Sequence, residues 1–142
     1  MNNLVRVNGW RTRMQANIDI IKTIPFEWGT HDCALFAGDH VKALTDVDMV
    51  SDFRGTYTTA FGAIKALKEH GYDDLLDLCK KNFPEIHISQ TRNGDLVVLS
   101  SDDIGYALAI VLTGEVIGVL TTNGYGIIRK NDPKVVTGFK IG

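Results

Sequence analysis

Only two cysteines, Cys33 and Cys79, occur in 142 residues, too few for a disulfide framework. No CxxC or HExxH spacing is present, so zinc lacks its usual ligand pattern. No apolar run approaches the roughly 18 residues that a bilayer span needs. Arg6, Arg11 and Arg13 near the start are not followed by an apolar leader segment, which predicts a chain made and folded in a cytosol. Fifteen Lys and Arg stand against 17 Asp and Glu, a net charge of −2, and no basic excess points to nucleic acid. There is no repeat, low-complexity tract or linker. These absences leave a globular protein with no expected metal, cofactor, nucleic-acid partner or membrane span. Apolar residues at 44% and charged residues at 23% are ordinary for a chain that builds its own core, so residues 1–142 are read as one domain.

The order is helices first, strands second. Trp10, Met14, Ile18 and Ile21 recur at helical spacing, which predicts an amphipathic helix over about 9–23 with Trp10 in the core, ended by Pro25. After an irregular Phe26–Asp32 segment, Asp32 suits an N-cap and Cys33 to about Leu44 reads as a helix apolar nearly all round. A loop follows, carrying Asp46, Asp48, Asp52 and Arg54. Its aspartates lack the Gly and closing Glu of a calcium-binding EF-hand loop. A third helix is expected over Thr58–His70, with Phe61, Ile64 and Leu67 inward and Gly71 past its end. A fourth runs over Asp74–Asn82, with Cys79 in the core among leucines. Beyond Pro84, short β-rich runs alternate with turn residues: Ile86–Ile88, Asp95–Leu99, Tyr106–Leu112, Glu115–Leu120, Tyr125–Arg129 and Val135–Lys140. The pattern predicts an α+β domain, N-terminal helices packed on a C-terminal antiparallel sheet or small barrel.

The chemistry centres on Trp28-Gly29-Thr30-His31-Asp32-Cys33. A thiol acts as a nucleophile only when ionised, and the first turn of a helix offers unpaired N–H groups and the positive end of the macrodipole. What remains is a base, commonly a histidine on another element.

Trp28-Gly29, Asp32-Cys33, Gly94-Asp95-Leu96-Val97-Val98 and the run from Tyr106 to Val111 resemble the NlpC/P60 superfamily of papain-like cysteine peptidases. Pro25 through Ala37, followed by Phe53-Arg54-Gly55-Thr56-Tyr57, is similar to a short form encoded in phage and prophage tail gene clusters. The resemblance covers residues of about 10 to 120. It implies a papain-like α+β fold, Cys33 as nucleophile and cleavage of peptide bonds in peptidoglycan. It also implies a place in the virion at the distal tail, among hub and tail-tip proteins, after synthesis in the host cytoplasm. The pattern breaks where active members carry histidine: aligning Ala109-Ile110 puts Ala107 there, and the next polar residue falls near Gly118.

Four histidines could substitute. His31, two residues from Cys33, is the candidate; His40 lies about 10 Å along the same helix, His70 suits a helix end, and His87 falls in the first predicted strand. Substrate-groove candidates are Trp28, Asp32, Tyr106 and Ala107. Ala107 and Ala109 alternate on one strand face, which suggests close approach of the Cys33 helix there. Three readings stand open: a tail component with little or no peptidase activity, an active peptidase using Cys33 with His31, and a host-side binding module on the same fold.

Overall fold

The computed structural model describes residues 4–142. Four helices, α1 (Trp10–Ile21), α2 (Cys33–Thr45), α3 (Ala60–Glu69) and α4 (Leu75–Asn82), precede six strands. The strands are β1 (Glu85–Ile86), β2 (Leu96–Ser101), β3 (Gly105–Val111), β4 (Val116–Thr121), β5 (Gly124–Arg129) and β6 (Val135–Phe139). They form one antiparallel sheet in the order β1-β6-β2-β3-β4-β5. This is an α+β domain with the helices gathered ahead of the sheet, as the pattern predicts.

Local chemistry places the helices. Asp32, Thr59 and Asp74 each cap a helix with a side-chain oxygen, satisfying donors that the first turn leaves open. α1 instead begins at Gly9 without a side-chain cap and turns Met14, Ile18 and Ile21 inward. Trp10, expected in the core, is only half-buried. Its indole lies between the guanidinium groups of Arg6 and Arg11, 4.2 and 4.3 Å from the ring centroid. α2 is the central helix: Leu35, Phe36, Val41 and Leu44 are fully enclosed, each worth about 2 kcal/mol of burial.

The sheet is apolar on both faces. Leu96, Val98, Leu108, Ile110, Leu120 and Phe139 join the helix-side core. Val97, Leu99, Ala109, Val111, Ile117 and Val119 form a second cluster, covered in part by Ile88, Ile128 and Val135. This corrects the expectation for Ala109, which faces away from α2; Ala107 packs against the helix-side core, which also holds Leu108 and Ile110.

Two other placements differ. Phe61 points outward and is 77% exposed, while Ala63, Ala66 and Leu67 form the buried face of α3. That face packs near Phe53 and Tyr57, where small side chains permit a close approach: Tyr57 Cβ lies 2.9 Å from where a Cβ on Gly62 would stand. His87 is not in a strand; it caps a 3-10 turn, Ile88–Gln90, by accepting from the Ser89 N–H. Two of the three loop aspartates meet cations. Asp46 pairs with Arg13, and Arg54 bridges Asp48 at 3.0 Å and Asp39 at 2.6 Å, clamping the loop to α2.

Candidate functional site: the Cys33 environment

Residues 27–32 close a tight loop, with Glu27 and His31 exchanging backbone hydrogen bonds of 2.9 and 2.8 Å. At its apex Gly29 has φ 84°, and an added Cβ would fall 1.8 Å from the Tyr57 carbonyl oxygen. The Gly55 N–H donates to the Gly29 carbonyl at 2.9 Å, so the 53–57 segment lies directly on this turn. Glycine is required here for both its backbone angle and its missing side chain. Gly29→Ala should destabilise the protein by more than about 2 kcal/mol, read as a lower urea midpoint; an unchanged midpoint would mean that the turn tolerates a side chain.

The turn aims Asp32 into the interior. Its Oδ1 accepts from the N–H groups of Ala34 and Leu35 at 3.1 and 3.0 Å, and its Oδ2 accepts from the Gly29 N–H at 3.0 Å and the Tyr57 hydroxyl at 2.6 Å. The carboxylate is buried and all four of these bonds are to the protein itself. Asp32 is therefore committed to holding the Trp28-Gly29 turn, the start of α2 and the 53–57 segment together. Burial first, and then the Asp32 charge, raise the pKa of the Tyr57 hydroxyl.

Cys33 follows in the first turn of α2 and is 4% exposed. It shares the helix-side core with Leu108 of β3, one residue from Ala107. Pairing of β3 with β4 begins just beyond, at Ala109↔Val119. The Leu108 and Ala34 N–H groups favour a thiolate, but burial and then the adjacent Asp32 carboxylate act the other way and dominate. The thiol is pushed up to about 12. A free thiol titrates near 8.5, and catalytic thiols lie lower still.

The histidines do not reach it. Among the described residues, no hydrogen bond joins a histidine ring to the sulfur. His31 Nε2 lies 3.2 Å from the Ile21 carbonyl and its ring meets Phe36 edge-on. His40 Nε2 bonds the Gly94 carbonyl at 2.8 Å, His70 Nδ1 the Ala66 carbonyl at 2.8 Å, and His87 Nδ1 the Ser89 hydroxyl at 2.7 Å. The structure thus brings Cys33, Asp32 and the 107–108 segment together and holds His31 on the α1 side.

The recess beside the start of α2, which Cys33 does not line, is small. Trp28, edge-on to Phe26 at 4.8 Å, lines it with Asp32, Ala34, Tyr57 and Ile104, and it holds only about 20 Å³, little more than a water's worth of room. Tyr106 is half-buried and pairs with Ser100. Across the sheet, the Tyr125 hydroxyl stands 2.9 Å from where a Cβ on Gly118 would be, and its ring is 6.1 Å from Phe36. A tyrosine from β5 therefore fills the place over Gly118 where a side chain from β4 would stand.

One polar cluster was not singled out from the sequence. Asp95, buried, accepts from Arg6 Nη2 at 2.9 Å, from the Ile141 N–H at 3.0 Å and from the Arg92 N–H at 2.9 Å. Arg6 also donates to the carbonyls of Ile141 and Asn93, both at 2.7 Å. The Gly94-Asp95 pair was visible as a strand start; nothing near Arg6 in sequence signalled its partner.

A family model described as "Domain of unknown function (DUF6950)" matches residues 5–141, and the chain belongs to that family. No curated protein matches it. Among solved structures, the chain is similar to the P60 domain of an antigen from M. avium subspecies paratuberculosis. The likeness has 13% identity and a TM-score of 0.48, and it covers 92% of this chain and 94% of that one.

Proposed function

We propose that this chain is a P60-like domain without peptidase activity that serves as a component of a phage tail, its fold used for docking rather than hydrolysis. The observation that carries the first half is the setting of Cys33: a buried thiol pushed up to about 12 by burial and the adjacent Asp32 carboxylate, with all four histidine rings bonded elsewhere. Acyl transfer by a cysteine needs a thiolate and a base within hydrogen-bond reach; burial disfavours the first, and no histidine ring hydrogen-bonds the sulfur. The tail placement rests on the resemblance of residues 25–37 and 53–57 to proteins of phage tail gene clusters.

The decisive measurement is the rate at which iodoacetamide modifies Cys33 as pH rises, followed by mass spectrometry of the Cys33 peptide. Modification should stay slow below about pH 9 and accelerate only when the protein is unfolded in urea. In parallel, purified peptidoglycan should release no new amino termini. Rapid alkylation at neutral pH, together with wall cleavage abolished in Cys33→Ala, would overturn the inactive reading and restore His31 as the partner to test. The tail assignment is checked separately, by looking for the protein in purified tails after prophage induction; its absence from particles would favour the host-side module.

A further inference from the structure

A cleft runs along α1, away from Cys33. One end is a cavity of about 290 Å³ walled by Arg6, Arg11, Arg92 and Lys140, with Trp10 at its side. The other is a groove of about 310 Å³ lined by Met14, Ile18, Leu112, Tyr125 and Ile127. Arg11 and Asn93 line both, so the cationic end adjoins the apolar one. We infer that this cleft docks an acidic segment of a partner protein, its carboxylates in the cationic end and one large apolar side chain in the groove. The inference does not rest on whether Cys33 is inert.

The charge argument is local. The chain as a whole carries −2, yet four cations meet here. Arg6 is already paired with Asp95 at 2.9 Å. Among the described residues the side chains of Arg11, Arg92 and Lys140 have no carboxylate partner, and Arg11 has only the face of Trp10. Asp95, the carboxylate in the wall, is saturated by Arg6 and two backbone N–H groups. Even with a terminal carboxyl on Gly142, which also lines the cavity, cations remain in excess. The first turn of α1, uncapped by any side chain, adds the positive end of its dipole at Trp10 and Arg11. Cations converging in a concavity attract carboxylates more strongly than the same charges spread on a convex surface.

The apolar groove selects the class of ligand. A free phosphate uses only the cationic end. A peptide carrying two or three carboxylates beside a Phe or Leu fits both ends, and a cavity near 300 Å³ suits one or two side chains. Ile127, 59% exposed, and Tyr125, half-buried, offer the open apolar surface that such an anchor covers.

The test uses the full chain and fluorescence polarisation of a labelled hexapeptide, Glu-Asp-Glu-Gly-Phe-Leu. Two controls replace its acids by Gln and Asn, or its Phe-Leu by Ser-Ser. The acidic, apolar peptide should bind with Kd below about 1 mM, at least tenfold tighter than either control, and binding should weaken as salt rises from about 50 to 500 mM. Arg11→Glu with Lys140→Glu, both exposed positions, should abolish binding, and Ile127→Asp should weaken it at least tenfold. Thermal melting of each variant should match wild type. If a reversal variant fails to fold, Arg92→Glu alone carries the same expectation. No binding, equal binding of the three peptides, or binding unaffected by the variants would overturn the inference. So would binding of inorganic phosphate or phosphatidylglycerol vesicles with none of the peptide, since that would make the cleft an anion or lipid site.

Discussion

Asp32→Ala should lower folding stability by about 4 kcal/mol, measured by urea unfolding. A lost N-cap costs about 1 kcal/mol, and each buried donor left without an acceptor costs about 1–3 kcal/mol. Asp32 serves four donors: the N–H groups of Gly29, Ala34 and Leu35 and the hydroxyl of Tyr57. A total stability of about 5–15 kcal/mol is usual for a domain, so the loss is a large share. Tyr57→Phe removes only one of the four bonds and leaves no orphaned donor, so it should cost about 1 kcal/mol. Equal losses in the two variants would show that the shared hydrogen bonds are not what holds this corner. Removing the carboxylate should also fail to free the thiol, because burial, rather than the Asp32 charge, is the larger cause of its raised pKa.

Stability should fall by about 2–3 kcal/mol between pH 7 and about pH 4.5 through His40 alone. His40 is buried on α2, its Nε2–H donates to the Gly94 carbonyl at 2.8 Å, and its Nδ1 has no partner among the described residues. Protonation would put an unsatisfied N–H and a charge in the core. Burial first, with Arg6 adding to it against the opposing Gly94 carbonyl and Asp95, lowers the imidazole to about 4 from an ordinary 6.5. The sign follows. Above pH 6.5 neither state takes the proton and the stabilisation is intact; as pH falls, the unfolded chain protonates first, and the difference is lost progressively down to about 4. Urea midpoints at several pH values should show this slope in the wild type. In His40→Gln, which keeps a donor near Gly94, the slope between about pH 6.5 and 5 should flatten. An undiminished slope in that variant would assign it to other groups.

How far the fold could be read depended on the range of the interactions. The start of α2 was legible because an Asp cap and an apolar helix are local chemistry, and the strands were legible from runs of β-formers between turns. Phe61 misled because large residues at 61, 64 and 67 imitate a buried face. The packed face uses Ala63 and Ala66 beside Leu67, and only the closeness of the 53–57 segment explains that choice. His87 looked like a strand residue by alternation, but its ring nitrogen accepts from Ser89 and starts a turn. At the site, Cys33 and Asp32 were evident, and so was the alanine at 107. What was not legible came from far along the chain: Tyr57 on Asp32, Leu108 in the core with Cys33, Tyr125 over Gly118, and Arg6 on Asp95. No spacing rule connects such pairs, since their meeting is decided by the sheet order and by where the loop after α2 is clamped.

The Arg6 bonds to Ile141, Asn93 and Asp95 have a topological consequence. They bring residue 6 beside Gly142, close enough that an added Cβ on that glycine would touch the Arg6 backbone nitrogen at 3.1 Å. The path from residue 6 to residue 142 is thus nearly a closed ring, sealed by one guanidinium instead of a peptide bond. A short covalent bridge that keeps Leu4, which packs against the core, could join the segments around residues 6 and 142, and the described residues could then be opened at an exposed hairpin such as Thr122–Asn123. The order in which the elements occur along the sequence is therefore separable from the architecture they form: a circular permutant should rebuild the same domain from a different starting point.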